Sequence, residues 1–401
     1  MNLNFFTAKF PFYGGEAIVE NELPIVSEYF DSVKIFPHIF TNQNESRKVE
    51  KNCTIHQLGN FNDVKLSFSY KKLLFYFFCI ELIRNKNLKY YLLNFKKWLS
   101  LLKIAAKKAQ FIEDNDLLLK DAVNYSYWMN DWTLVLVFLK KRKFISNFVF
   151  RCGGFDIWDE RHEGNYLPFR YLIYKYANFG YPNAKIAADY MKKKTPFGSK
   201  IKVGYLGTND YDVGKFNDGN IFTIVSVSNA IPLKRVHLIV ELLKGVNPTI
   251  KWIHFGDGKE LNNIKTIAKA ELKQHQIEFK GMVDNSDIIN FYKTNSVNLF
   301  VTTSVTESLP VSIQEAISFG IPILATDVGG MSEIVNTKTG ILIPANFNTK
   351  EVSEQLNSYI ESNYFNTKLR ESTRQFWEEN FNAKEVYLKF GKELKQLFEA
   401  R

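Results

Sequence analysis

Between residues 221 and 326, four apolar runs (221–227, 251–256, 298–303 and 321–326) alternate with helical patterns near 234–244, 258–273, 286–294 and 309–319. Short, nearly continuous apolar runs read as strands buried on both faces, and helices between them impose parallel pairing. This alternation predicts a doubly wound parallel sheet. Such a sheet binds ligands beyond the carboxyl ends of its strands. At those ends stand residues 226–235, Gly256-Asp257-Gly258, Gly281-Met282-Val283, 306–316 and 327–333, all polar or glycine-rich.

The segment Thr306-Glu-Ser-Leu-Pro-Val-Ser-Ile-Gln-Glu315-Ala316, with Gly320-Ile-Pro322 behind it, concentrates the chemistry. Ser308 is expected to cap a helix that Pro310 starts and Gly320 stops. Glu307 then lies just outside the helix N-terminus and Glu315 about two turns inside, so backbone N–H donors and two carboxylates face one crevice. That combination suits a polyhydroxylated anion.

A chain of 401 residues suits two domains, and 45% apolar with 23% charged residues is ordinary for a globular protein. Cys53, Cys79 and Cys152 are odd in number and widely spaced, which argues against a disulfide framework and implies a reducing, cytoplasmic setting. The opening Met1-Asn-Leu-Asn-Phe-Phe lacks a basic stretch followed by an apolar core, so no signal peptide is expected. The apolar run 73–80 is far too short to cross a bilayer, which takes about 20 residues. The net charge of +10 is concentrated: residues 71–151 hold 16 Lys/Arg against 6 Asp/Glu, equal to the excess of the whole chain. Cations mixed there with Phe, Tyr, Trp and Leu suit an anionic membrane face or a lipid-linked substrate. Solvated lysines on core helices are the alternative. Nothing recognisable for nucleic acid accompanies the charge.

The first half reads as strand 3–10, the turn Pro11-Phe-Tyr-Gly14-Gly15-Glu16, a helix over 17–29 and a strand 32–36. Two helices are expected within 68–110. A strand 122–128 follows, then a helix capped by Asn130 or Asp131, a strand 144–150 and a strand 201–205. The glycine pair after the first strand lets N–H groups approach a phosphate, although a plain tight turn has the same signature. Loops 125–131 and 151–161 carry Trp128, Arg151, Asp156 and Arg161, residue types that hold sugars by stacking and bidentate hydrogen bonds. A structural ion pair beside a packed aromatic explains any one of them equally well. Asp114-Asn-Asp116 and Asp210-Tyr-Asp212 raise a metal-dependent mechanism, but turn-forming aspartates account for both, and no metal site is expected.

The motif series Lys234-Arg235-Val236, His254-Phe-Gly-Asp-Gly258, Phe279-x-Gly281-x-Val283, Glu307-x7-Glu315 and Gly329-Gly330-x-x-Glu333 resembles, in its order, the retaining nucleotide-sugar glycosyltransferases of family 4. The resemblance covers residues 221–380 strongly and the first half more loosely, through residues 10–16, 125–128 and 151–161. It implies an α/β fold of GT-B type, two Rossmann-like doubly wound domains facing across a cleft. The expected divisions are 1–199 for the acceptor side, a linker 200–220, a nucleotide-sugar domain 221–380, and a helix 381–401 crossing back to the first domain. By resemblance, Lys234 and Arg235 neutralise the diphosphate with no metal or other cofactor, Gly14 and Gly15 close over it, and Glu315 takes the ribose hydroxyls. Met282 borders the base, which belongs to a UDP- or GDP-linked sugar. Glu307, with the N–H groups of Ser308 and Leu309, holds the transferred sugar. The acceptor implied is a polysaccharide or lipid-linked glycan.

Three positions depart from the pattern. Asn229 stands where relatives usually carry Arg, Ser308 where they carry Gly, and Gly153 where a His commonly precedes the glycine. These departures motivate a second reading, a catalytically weak nucleotide-sugar-binding subunit of a glycan-assembly complex. A nucleotide-sugar epimerase on the same architecture ranks below both.

Overall fold

The computed structural model describes residues 1–12, 15–39, 46–84, 88–215, 221–363 and 367–399. It divides into two compact units, one comprising residues 1–205 with the chain from Tyr387 onward, the other Leu206–Val386. Among the described residues no helix is long and apolar enough to cross a membrane.

The first unit is a six-stranded sheet built from β1 (Asn2–Thr7), β2 (Ser32–Pro37), β3 (Cys53–Ile55), β4 (Ala122–Ser126), β5 (Val149–Cys152) and β6 (Phe179–Pro182). All neighbours pair in parallel, in the order β3-β2-β1-β4-β5-β6. Leu3, Phe5 and Phe6 are all buried, as expected of a central strand covered on both faces. Asn4 is buried as well. Its Nδ2 donates to Asn124 Oδ1 at 3.1 Å, and Asn124 Nδ2 donates to the Asn147 carbonyl at 2.9 Å. That chain of amides satisfies the buried polar groups and ties β1 to β4 and to the approach to β5.

The second unit repeats the arrangement with β7 (Phe222–Val227), β8 (Ile250–Phe255), β9 (Gln276–Gly281), β10 (Leu299–Thr302), β11 (Ile323–Thr326) and β12 (Gly340–Ile343), in the order β12-β11-β10-β7-β8-β9. Renumbered within the unit this is the same 3-2-1-4-5-6 order as the first sheet, the arrangement of dinucleotide-binding folds. Its core centres on Trp252, Leu243, Ile224 and Leu299, each essentially inaccessible. Full burial of an aliphatic side chain contributes about 1.5–3 kcal/mol. His254 belongs to this core: Trp252 Nε1 donates to Ser226 Oγ at 3.0 Å, and Ser226 Oγ lies 2.8 Å from His254 Nδ1. Burial pushes the imidazole down to about 4, so it is neutral.

Several boundaries differ from the sequence expectation. The strand expected at 144–150 begins only at Val149, because Lys143 turns the chain at φ 63° and Asn147 spends its side chain on Asn124 and Ala122. The strand expected at 201–205 reduces to a bridge between Ile201 and Gly180. Three helices, Phe68–Arg84, Leu88–Leu93 and Phe95–Asp114, fill the region where two were expected. Residues 206–215, within the expected linker, fall inside the second unit: Thr208 is buried, accepts a hydrogen bond from Trp377 Nε1 at 2.7 Å and bridges to Asn382.

Candidate functional site

The strand order of the second sheet reverses between β7 and β10, and at such a switch point the loops leaving two neighbouring strands part to open a crevice. The loop after β7 ends in a tight turn, Pro232–Lys234, before the helix Val236–Lys244. The loop after β10 runs from Thr303 to Pro310, which precedes the helix Val311–Ser318. The two loops are fastened to each other. Val305 N–H donates to the Leu233 carbonyl at 2.8 Å, Thr303 Oγ1 donates to the Arg235 carbonyl at 2.9 Å, and Arg235 Nε donates to the Thr303 carbonyl at 2.7 Å.

Across this seam the Lys234 ammonium pairs with Glu307 Oε1, which also accepts from Ser304 Oγ at 2.7 Å. Lys234 and Glu307 are about three-quarters and seven-eighths covered, so the pair is shielded yet reachable. Arg235 is placed differently. Its backbone is left-handed at φ 46°, and Nε and Nη2 reach the carbonyls of Thr303 and Ser304. Burial draws its guanidinium below the ordinary range. Arg235 therefore braces the loop that carries Glu307.

The glycines of the neighbouring loops serve close packing. A Cβ on Gly329, at φ 56°, would stand 1.7 Å from the Glu307 carbonyl oxygen, and one on Gly256 would stand 1.9 Å from that of Ser228. Only glycine lets the loops after β11 and β8 press against those carrying Glu307 and Asn229. Asn229 itself is exposed.

Glu315 lies on the fifth residue of its helix, 7% exposed, and burial pushes its carboxyl up to about 7 against the opposing hydrogen bond from Asn285 Nδ2 at 2.8 Å. Asn285 opens the helix that follows the loop at Gly281 and Met282, so this bond ties Glu315 to the segment where Met282 stands 67% exposed. Ser308 and Leu309 are buried beside Glu307 in sequence. Ser308 does not cap the helix: Pro310 occupies the N-cap position, with extended backbone and no side-chain cap bond.

In the first unit Gly14 lies outside the described residues, while Gly15 has φ 151° and its carbonyl accepts from Arg47 Nη1 at 2.8 Å. The neighbouring Glu16 carboxylate gathers the loop after β1, taking the N–H groups of Ala8, Lys9 and Phe10 and, at 2.6 Å, Trp128 Nε1. The Trp128 ring also decides the outcome at Gly153. Position 153 has extended backbone that any residue adopts, but a Cβ there would meet Trp128 Cζ3 at 3.2 Å. The indole fills the space a side chain at 153 would enter.

Of the other acceptor candidates, Asp156 lies near the same loop, taking the Met129 N–H at 3.3 Å, and burial raises its carboxyl above the usual range. Arg161 ends a single helical turn, Asp159–Arg161, half-buried. Arg151 corrects the expectation. It is 2% exposed inside the unit, paired with Glu22 at 3.1 Å and bonded to the Tyr125 hydroxyl and the Gly204 carbonyl, with Phe390 stacked 4.0 Å away. A guanidinium so enclosed holds the interior and does not reach an acceptor.

The structure thus brings together Lys234, Arg235 and Glu307 with Ser308 and Leu309, and joins Glu315 to the Met282 segment through Asn285. Ser304, Asn285 and Glu16 were missed from sequence. Their only signal is position, since each lies within four residues of a residue already singled out.

Residues 211–376 match the family described as glycosyl transferases group 1. Over 175 residues the chain is 27% identical to Protein CapJ of Staphylococcus aureus, covering 43% of this chain and 40% of that protein. Over 209 residues it is 22% identical to the putative colanic acid biosynthesis glycosyltransferase WcaL of Salmonella typhimurium, covering 48% of this chain and 50% of that one. The chain therefore spans half or less of the curated relatives named here. Among solved structures, Anabaena HepE in complex with UDP superposes with a TM-score of 0.69 at 16% identity, covering 99% of this chain and 100% of that one. At that identity the likeness establishes shared fold. With two parallel sheets of this topology, the chain has the GT-B fold, and residues 211–376, which bear the motifs, are similar to the glycosyl transferases group 1 family.

Proposed function

We propose that the chain is a retaining glycosyltransferase of family 4 that moves a hexose-type sugar from a UDP- or GDP-linked donor to a polysaccharide or lipid-linked glycan. The observation that carries this reading is the Lys234–Glu307 pair at the switch point of the second sheet, with Glu315 buried on the helix that leaves the same loop. A cation for the diphosphate and two carboxylates for hydroxyl groups are the chemistry a nucleotide sugar needs. HepE, of the same fold, was solved with UDP bound, and WcaL is named as a putative colanic acid biosynthesis glycosyltransferase; both support the reading.

In this mechanism Lys234 meets the negative charge that grows on the diphosphate as the glycosidic C–O bond breaks. Arg235 keeps the Glu307 loop in place, Glu307 holds the sugar hydroxyls, and Glu315 accepts from the ribose. The acceptor oxygen bonds to the anomeric carbon on the face the diphosphate leaves, and the acceptor's proton passes to the departing phosphate. No metal is assigned a role. The two Asp-x-Asp pairs have other partners: Asp210 accepts from Arg374 at 2.7 Å, and Asp116 pairs with Lys120.

The first unit is assigned the acceptor, and we infer that it rests peripherally on the cytoplasmic face of an anionic membrane. Phe68, Phe75, Ile83, Leu92 and Leu93 are exposed on adjoining helices, with Lys71, Lys72, Lys89, Lys96 and Lys97 exposed among them. Apolar side chains interleaved with cations are what an anionic bilayer surface retains.

The test is to incubate the protein with a panel of UDP- and GDP-sugars and candidate glycans, with and without chelator, following nucleotide release and the anomeric configuration of the product. Chelator-insensitive transfer with retained configuration is expected. Failure to bind any nucleotide sugar sinks the reading, an inverted product sinks the retaining step, and binding without turnover points to the accessory-subunit alternative.

A further inference from the structure

Beside the loop that follows β5, which supplies Ile157 and Asp159, the first unit contains a cavity of ≈ 250 Å³ also lined by Glu81, Arg84, Arg170, Tyr171, Tyr190 and Lys194. It lies where the end of the helix Phe68–Arg84 meets the helices Arg170–Tyr176 and Lys185–Lys194. The volume falls below the roughly 300–1,000 Å³ of sites for drug-sized ligands, so it accommodates a group the size of one sugar ring and excludes a nucleotide.

The lining pairs aromatic rings with cations. The Arg84 guanidinium lies 4.9 Å from the Tyr171 ring centre, and the Lys194 ammonium lies 4.8 Å from that of Tyr190. The two cations differ in what opposes them. Lys194 is paired with Asp159 at 2.9 Å, whereas Arg84 is exposed and has no carboxylate partner among the described residues. Deeper in, Arg170 gives Nη1 to the Met129 carbonyl at 2.7 Å and faces the charges of both Glu81 and Asp156. Glu81, 4% exposed, accepts from Phe169 N–H at 2.8 Å and from the Tyr166 hydroxyl. Burial raises its carboxyl above the usual range against those two bonds and the nearby Arg170.

A stacked guanidinium has its N–H edge oriented for bidentate bonding to an acid group. Flat aromatic walls accept the C–H face of a sugar. We propose that this cavity binds a single sugar residue bearing a carboxylate or phosphate, the acid group on Arg84 and the ring against Tyr171 and Tyr190. The proposal does not depend on the donor loops of the second unit, and it shares the loop after β5 with the acceptor candidates Asp156 and Arg161.

Titration of the full chain with glucuronic acid, glucose 6-phosphate, glucose and inorganic phosphate, followed by ligand-observed NMR and calorimetry, tests it. UDP serves as a separate probe of the second unit. Saturable binding of at least one acidic sugar is expected, tighter than glucose or phosphate alone. Its affinity should fall about tenfold or more in Arg84→Gln and in Tyr171→Ala, with UDP binding unchanged. The preferred acid arm identifies a uronic acid or a sugar phosphate as the source. The proposal is overturned if neither acidic sugar saturates the folded protein, if both variants bind like wild type, if phosphate alone binds as tightly as glucose 6-phosphate, or if UDP displaces the sugar. Because Arg84 is exposed, Arg84→Gln keeps the fold, and circular dichroism verifies it.

Discussion

Lys234 and Glu307 are 73 residues apart in sequence and joined at the switch point of the second sheet, each the other's counter-ion. The pair cancels charge where a diphosphate is proposed to bind, so the two halves have separable effects. Lys234→Ala is expected to lower kcat/KM by about 10²–10³, the size of effect seen when one preorganised charge donor is lost. Glu307→Gln should slow transfer without weakening nucleoside diphosphate binding, because it releases Lys234 to the phosphate. Steady-state kinetics with calorimetry of the nucleotide alone separates the two; weakened binding in Glu307→Gln would refute the division of roles.

Glu315 predicts a pH dependence. Burial raises its carboxyl to about 7, so in the folded apoprotein it is protonated below that pH. Ribose hydroxyls bond best to the ionised form. Donor affinity should therefore rise as pH increases through about 7 in wild type, a dependence removed in Glu315→Gln. The stability effect has the opposite sign. The folded state binds the proton more tightly than the unfolded chain, so this group's contribution is full below the ordinary carboxylate pKa of 4.5 and is lost as pH rises through about 7. Calorimetric titration and urea melts on both proteins measure the two trends.

The Glu22–Arg151 pair, wholly enclosed in the first unit, predicts a stability effect. Removing one member of a buried pair strands the other charge, at a cost of about 3–5 kcal/mol. Glu22→Ala should lower the unfolding free energy of the first unit by that margin, read by urea denaturation, while UDP affinity in the second unit stays within twofold or so.

At Gly329, both the positive φ and the 1.7 Å approach to the Glu307 carbonyl exclude a side chain. Gly329→Ala should displace the Glu307 loop and depress transfer at least tenfold or so. Gly281→Ala, where φ is 70° and no atom lies within 4 Å, isolates the cost of the backbone conformation alone. Equal activity in the two variants would show that the contact is immaterial.

For the membrane face, Phe75→Ser with Ile83→Ser should reduce cosedimentation with anionic vesicles, and raising salt should weaken what remains. Binding unaffected by both treatments would leave the lysines as solvated charges.

How much of this was legible in the sequence varied with burial. The strands β7, β8, β10 and β11 announced themselves because both faces are covered, leaving apolar runs. β9 did not, since its residues Gln276–Gly281 are exposed or half-buried and include the paired Glu278 and Lys280. β6 is only Phe179–Pro182, with no branched residue to mark it. Within the site, Glu307, Glu315 and Lys234 stood out by motif. The bracing role of Arg235 and the interior position of Arg151 depended on backbone carbonyls and packing that no residue type announces. Trp128 against Gly153 was equally hidden, because a ring filling another residue's space appears only once the loops after β4 and β5 are folded together.

Each sheet sets a carboxylate beside its switch point, Glu16 after β1, the first strand of its unit, and Glu307 after β10, the fourth strand of its own, yet the two are held by different kinds of donor. Three backbone amides and an indole fix Glu16, and amides do not leave. Glu307 is held by a lysine and a serine side chain, both of which can rotate away. On the proposed function, the second crevice would work as an ion exchanger with one seat: an arriving phosphate would take the ammonium, and the displaced carboxylate would be freed at the moment a sugar hydroxyl needs an acceptor.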